Sequence, residues 1–307
     1  MKNRIFTIIL ISTIALFTQS CSLVKRMNKA KGTAEQSRTL VAKETESLGF
    51  VMKKTTEKIA GDGLDSSMSN SYIQTLNQLS KHLTTVEEAA IAVQQASQNP
   101  KNFVGKNYYN SSVFRNIGLL DSFNREQQTR ARMYKLIDES ISLNTLKLFN
   151  FAAFFDPGVF KVPESAVGAI EKYFASIIDS VAELSNKYAD IPHTAKFVLV
   201  GYADAAAIAP GSVLYKQLSD ILQHPEPSRE ELNRVLSDLR ARELLHSLGI
   251  VVNKNLSKFN NDSKLKVVYV GYGRGEAYPS KTITDYKSID DRRRIVLCYW
   301  AILPTVE

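Results

Sequence analysis

Asn233, Ser237 and Arg240 are spaced so that one helical face carries an amide, a hydroxyl and a guanidinium. Upstream, Lys196 to Val200 reads as a short β-branched strand that runs into Gly201-Tyr202-Ala203-Asp204 and leaves a carboxylate at its end. A carboxylate and a planar guanidinium fork recognise charged groups through directional hydrogen bonds. The plainer alternative for Asp204 and Arg240 is a structural salt bridge. Catalytic arrangements are poorly represented. None of the four histidines, His82, His193, His224 and His246, pairs with another at metal-ligand spacing, and no Gly-x-Ser-x-Gly elbow occurs. Gly271-x-Gly273-x-Gly275 resembles a nucleotide loop only on the surface, because Glu276 would repel phosphate and Pro279 interrupts the helix that should follow. The expectation is a binding protein, not an enzyme, with no metal and no cofactor.

The elements that must hold these groups fill the second half of the chain. Leu148, Phe149, Phe151, Phe154 and Phe155 mark an aromatic strand ended by Asp156-Pro157-Gly158. Pro163 and Glu164 open a helix with Val167, Ile170, Tyr173, Ile177 and Val181 on its apolar side. A second helix covers Arg229 to His246, where Leu236 and Leu244 are placed to pin it to a sheet. Strands follow at Lys266 to Val270 and Arg294 to Trp300. The order strand, helix, strand, helix, strand, strand predicts an α/β (α+β) sandwich, with helices packed on a small sheet.

Four strings in this half resemble the OmpA-like domain family. Asn233-x-x-Leu236-Ser237-x-x-Arg240-Ala241-x-x-Leu244 differs from the family string only in its last, conservative residue. Gly201-Tyr202-Ala203-Asp204, Gly273-x-Gly275-Glu276-x-x-Pro279 and Asp291-Arg292-Arg293 resemble three further family strings, and all four occur in family order. The resemblance spans about Phe149 to Ile302. It implies a non-catalytic peptidoglycan-binding domain in which Asp204 takes the ammonium and Arg240 the carboxylate of diaminopimelate in the wall's stem peptide. Asn233 and Ser237 join them on the helix, with Arg293, or Arg292 if the register slips by one, in support. Residues 206–229 depart from the family as an insertion with its own apolar turn (Val213, Leu214, Leu218, Ile221, Leu222), which could narrow, block or re-aim the pocket.

At the other end, Lys2 and Arg4 precede a largely apolar run from Ile5 to Phe17, and Thr18-Gln19-Ser20-Cys21 follows. This is the layout of a secretory signal, too short for a comfortable span of roughly 20 apolar residues. Its ending resembles the bacterial lipobox, with Thr18 in the place of the preferred Leu. The resemblance implies acylation (palmitate among the chains) at Cys21 and anchoring in outer-membrane lipid on the periplasmic face. An ordinary cleaved signal or an uncleaved anchor are the alternatives. Stable anchoring takes more than one acyl chain, which lipoprotein modification supplies. Lys25, Arg26, Lys29 and Lys31 would then face anionic headgroups. With Cys21 so used, the other cysteine, Cys298, has no partner, and no disulfide is expected.

Between the ends, apolar residues recur at helical spacing. Leu40, Leu48, Val51, Met52 and Ile59 lie within residues 34–60, and Gly61-Asp62-Gly63 breaks the pattern. Ile73, Leu76, Leu79, Leu83, Val86, Ala90 and Val93 form a stripe over Ser71 to Gln98. Asn102 to Ser112 reads as a loop, and Asp121 as the N-cap of a helix to about Asn144. The expected organisation is a signal peptide over 1–20, a helical stalk or bundle over 21–145, and the OmpA-like domain over 146–307. The stalk is either a spacer or a docking surface, over residues 30–145, for another envelope protein. The formal net charge of +8 suits an acidic partner of any kind; with the wall resemblance, nucleic acid is not expected. The alternative function is a structural component of an envelope secretion or motility machine whose OmpA-like domain does not bind wall.

Overall fold

Two long helices open the chain: α1 (Lys2–Ala60) and α2 (Ser66–Ala96). The structure, a computed structural model, describes residues 2–61, 64–143, 147–149, 159–260, 264–280 and 283–306, with backbone alone over 2–21, at 106 and over 147–149. The Cys21 side chain and most of the expected aromatic strand, with its Asp156-Pro157-Gly158 ending, therefore lie outside the described residues. Among the described residues, no helix is long and apolar enough to cross a membrane. The chain divides into two compact units, one of Met1–Phe50 with Leu76–Tyr134, the other of Val51–Thr75 with Lys135–Glu307.

The first unit is helical. Leu76, Leu79, Leu83, Val86, Ala90 and Val93 of α2 are buried as the stripe predicts. A 3-10 turn at Pro100–Phe103 and a short helix, α3 (Gly105–Tyr109), occupy the stretch expected to be loop. Asp121 is not an N-cap. Helix α4 (Ser112–Arg125) has Ser111 as its cap instead, whose hydroxyl accepts the Phe114 amide at 3.2 Å, and Asp121 lies inside the helix. Helix α5 (Gln127–Leu143) follows almost at once. Arg130 of α5 and Glu44 of α1 form a buried ion pair at 2.9 Å, and the guanidinium stacks 3.6 Å from the Phe123 ring centroid.

The second unit is built on a sheet of four strands in the order β1-β4-β2-β3. These are β1 (Lys147–Phe149), β2 (His193–Gly201), β3 (Leu265–Gly273) and β4 (Val296–Pro304). β3 runs parallel to β2, and β4 runs antiparallel to both β1 and β2. Helices α6 (Glu164–Lys187), α7 (Val213–Leu222) and α8 (Arg229–Lys254) complete it. This is the expected α/β order, with one additional helix, α7, inside the insertion.

Side-chain alternation explains the layering. Gly201 of β2 and Gly271 and Gly273 of β3 face α8. The residues between them face the other way. There, the Lys196 ammonium donates to Ser71 Oγ at 2.7 Å and to the Ser67 carbonyl, and the Tyr272 hydroxyl donates to Asp65. The segment Val51–Thr75 therefore covers the sheet face opposite α8, and every residue of β4 is buried. Ile73 and Met52, placed in apolar stripes by sequence, are exposed, as is Val167 of α6, where Ala166 is buried instead. Cys298 of β4 is a free buried thiol, pushed up to about 12 by burial and so kept protonated.

Candidate functional site

Helix α8 is fixed by its start. The Ser228 hydroxyl accepts the Glu231 amide, and the Glu231 carboxylate accepts the Ser228 amide, closing a capping box. Its glycine partners let it approach the sheet closely. A Cβ on Gly273 would stand 2.2 Å from Ser237 Oγ, and one on Gly201 would stand 2.0 Å from the Ser237 carbonyl oxygen. The two glycine strings and the helix string are thus parts of one contact. Ser237 itself is a positioning residue. Its hydroxyl donates to the Arg234 carbonyl at 2.8 Å and accepts the Gly275 amide at 2.9 Å.

The segment after β2 is held by backbone bonds on both sides of Asp204. The Ala203 amide donates to the Gly275 carbonyl and the Ala205 amide to the Ser288 carbonyl, each at 2.8 Å. The Asp204 carboxylate is drawn inward and is 4% exposed. Its Oδ1 accepts a long bond from the Ala206 amide, 3.4 Å. Its Oδ2 is buried with no hydrogen-bond partner. The Arg294 Nε, similarly buried and without a hydrogen bond, is 3.8 Å away.

Arg240 is equally buried, and its Nε donates to the Val159 carbonyl at 3.2 Å. Burial pulls its guanidinium down to about 10. The Arg294 guanidinium adds to that shift, and Asp204 opposes it. Arg240 keeps its charge at neutral pH, and Asp204, Arg240 and Arg294 act on one another electrostatically. Arg294 also pairs with Asp291, so two carboxylates face the two guanidinium groups, and Asp204 Oδ2, which makes no hydrogen bond, can still accept one.

Asn233 is buried and its amide is committed: it donates to the Ala206 carbonyl at 3.2 Å and to Glu276 Oε1 at 2.8 Å. Glu276 also accepts from Arg229. Arg293, not Arg292, is the buried arginine. It donates to the carbonyls of Ser288 (2.7 Å), Lys287 (3.2 Å) and Glu276, and lies 4.7 Å from the Tyr278 ring centroid. It fastens the β3–β4 connection under the Asp204 segment. Arg292 is exposed and pairs with Asp290 and Asp285.

Sequence reasoning therefore placed Asp204 and Arg240 in one electrostatic cluster, while Asn233, Ser237 and Arg293 serve as its frame. It missed Arg294, read only as the start of the last strand. The run of three arginines was the available signal, since one must turn toward the acid. Leu236 does not pin α8 to the sheet. It packs with Leu232 and with Leu218 of α7, so the insertion docks on the flank of α8 through Leu214, Leu218 and Leu222. Among the described residues, no group of three or more His, Cys, Asp and Glu side chains is placed to hold a metal ion.

No family model matches this chain, and no curated protein does. Among solved structures, the chain is similar to the OmpA-like domain of FopA1 from Francisella tularensis subsp. tularensis SCHU S4. That likeness has 14% sequence identity, covers 52% of this chain and 73% of that one, and has a TM-score of 0.26.

Proposed function

We propose that this chain is a non-catalytic, lipid-anchored envelope protein whose second unit binds the peptidoglycan stem peptide. The observation that carries the reading is the buried Asp204 Oδ2 without a hydrogen bond, set beside Arg240 and Arg294. A buried polar atom left unpaired costs about 1–3 kcal/mol. A ligand ammonium at Asp204 removes that cost, and a ligand carboxylate pairs with the Arg240 guanidinium. Diaminopimelate presents both groups on one carbon. The OmpA-like strings support the assignment, since three of them meet in the α8–sheet contact and the fourth holds the β3–β4 connection beside it. Acylated Cys21 holds the chain in the outer membrane, and the bound wall ties the two layers together.

Sedimentation with purified peptidoglycan sacculi tests the reading. Wild type co-sediments, and Asp204→Ala and Arg240→Ala lose most of the bound fraction while keeping the wild-type circular dichroism spectrum. Normal sedimentation of both variants, or none by the wild type, refutes it. Cys21→Ala moves the protein to the soluble periplasmic fraction, and retained membrane association rejects the lipid anchor.

A second reading is favoured by one observation: Arg240 spends its Nε on the Val159 carbonyl. On that reading the cluster is structural and the chain is a docking component of an envelope machine. The same sedimentation separates the two.

A further inference from the structure

A cavity of about 480 Å³ lies on the sheet face opposite α8, within the second unit. One side of its wall comes from the end of α1, the start of α2 and their junction, the other from Tyr202 after β2, Tyr299 of β4 and the β3–β4 connection. Asn70, Ile73, Tyr202, Arg274, Tyr278 and Tyr299 line it. The site is built, not incidental. Asp65 is buried beneath it, accepts the Ser67 amide at 2.7 Å and the Tyr272 hydroxyl, and pairs with Arg274 at 3.6 Å. Arg274 also donates to Ser66 Oγ at 2.8 Å. These bonds fix the guanidinium in place while its side chain stays 40% exposed.

The lining combines tyrosine rings and an exposed isoleucine with a guanidinium and an amide. A concave site that joins ring surface to a few convergent hydrogen-bonding groups suits a small molecule. A ligand that matches it has an apolar face for the rings, hydroxyl and carbonyl oxygens for Arg274 and Asn70, and a methyl group for Ile73. An N-acetylated amino sugar has all of these. Tyr202 lies two residues before Asp204, a span of about 7 Å in extended chain. Tyr278 carries the Arg293 guanidinium on its ring. The cavity and the Asp204 cluster are therefore neighbours along the same two segments.

We propose that this cavity binds an N-acetylhexosamine unit of the wall's glycan strand, with Arg274 and Asn70 as its hydrogen-bonding groups. The identity of the sugar rests on the wall-binding reading; the cavity does not. The site would let one wall fragment be gripped by glycan and by stem peptide together.

The test titrates the mature chain with triacetylchitotriose, a glycan without peptide, and separately with the diaminopimelate-containing stem tripeptide. Asn70→Ala and Arg274→Gln weaken chitotriose binding about tenfold and leave the tripeptide affinity unchanged. Asp204→Ala does the reverse. Asn70 is exposed, so its variant folds even where loss of Arg274 perturbs the Asp65 network. Tripeptide binding without chitotriose binding, or chitotriose binding that neither cavity variant weakens, overturns this proposal and leaves the wall reading standing. Chitotriose binding without tripeptide binding overturns the stem-peptide reading and leaves the glycan site.

Discussion

Gly201 of β2 and Ser237 of α8 meet backbone to backbone: a Cβ at position 201 would fall 2.0 Å from the Ser237 carbonyl oxygen. Atoms of neighbouring backbone cannot yield as the tip of a flexible side chain can, so the helix itself would have to move. Forced overpacking of this kind costs about 1–3 kcal/mol. Gly201→Ala and Gly273→Ala each lower stability by about that amount in urea unfolding, and each also weakens sacculus binding, because α8 carries Arg240. Gly249→Ala on the same helix meets nothing within 4 Å, so as a control it keeps sacculus binding and raises stability by about 0.5–1 kcal/mol.

The adjacent arginines of the β3–β4 connection have opposite fates. Arg293→Ala takes a shared donor from the Lys287, Ser288 and Glu276 carbonyls and frees the Tyr278 ring, at a cost of about 1–3 kcal/mol. Arg292→Ala removes an exposed guanidinium and its pairs with Asp285 and Asp290, and leaves the melting midpoint near that of wild type. Equal midpoints for the two variants would contradict the buried role of Arg293.

His193 predicts an acid limb in the stability curve. Its ring is buried between the Ser185 hydroxyl at 2.7 Å and the Ile191 carbonyl at 2.6 Å. Burial holds it below the usual 6.5, against opposing contributions from the Ile191 carbonyl and Asp190. In the unfolded chain the ring takes up a proton near 6.5, while in the folded chain it resists. The unfolded state thus binds more protons, and stability is lost as pH falls through and below 6.5. Unfolding free energies measured between pH 8 and 5 show this slope, and His193→Gln reduces it.

The buried Arg130–Glu44 pair governs the helical unit. Its side chains are 5% and 7% exposed, so removal of one leaves the other charged in an apolar setting. Glu44→Ala costs about 3–5 kcal/mol, whereas a joint replacement of both by leucine and methionine costs far less. Denaturation followed by circular dichroism distinguishes them. A mild effect of the single variant would place the pair in contact with water.

Helical and strand periodicity in the sequence was enough to order the strands and helices of residues 147–304, and the four motif strings fall on α8, on the segments that face it and on the β3–β4 connection. Asn233, Ser237 and Arg240 share a buried face of α8 because a helix brings residues three and four apart together. That reasoning is local, and it ends where the chain doubles back. An apolar stripe states that a helix must be covered but not by what, so the packing of Val51–Thr75 on the sheet face opposite α8 emerged only from tertiary structure. The same holds for Leu236, whose partner on α7 is supplied by an insertion. Which of three consecutive arginines turns toward Asp204 depends on the 3-10 turn at Asp291–Arg293, a matter of backbone dihedrals that composition does not encode. Side-chain identity determined which charges were available, and long-range backbone placement decided which of them came within reach of one another.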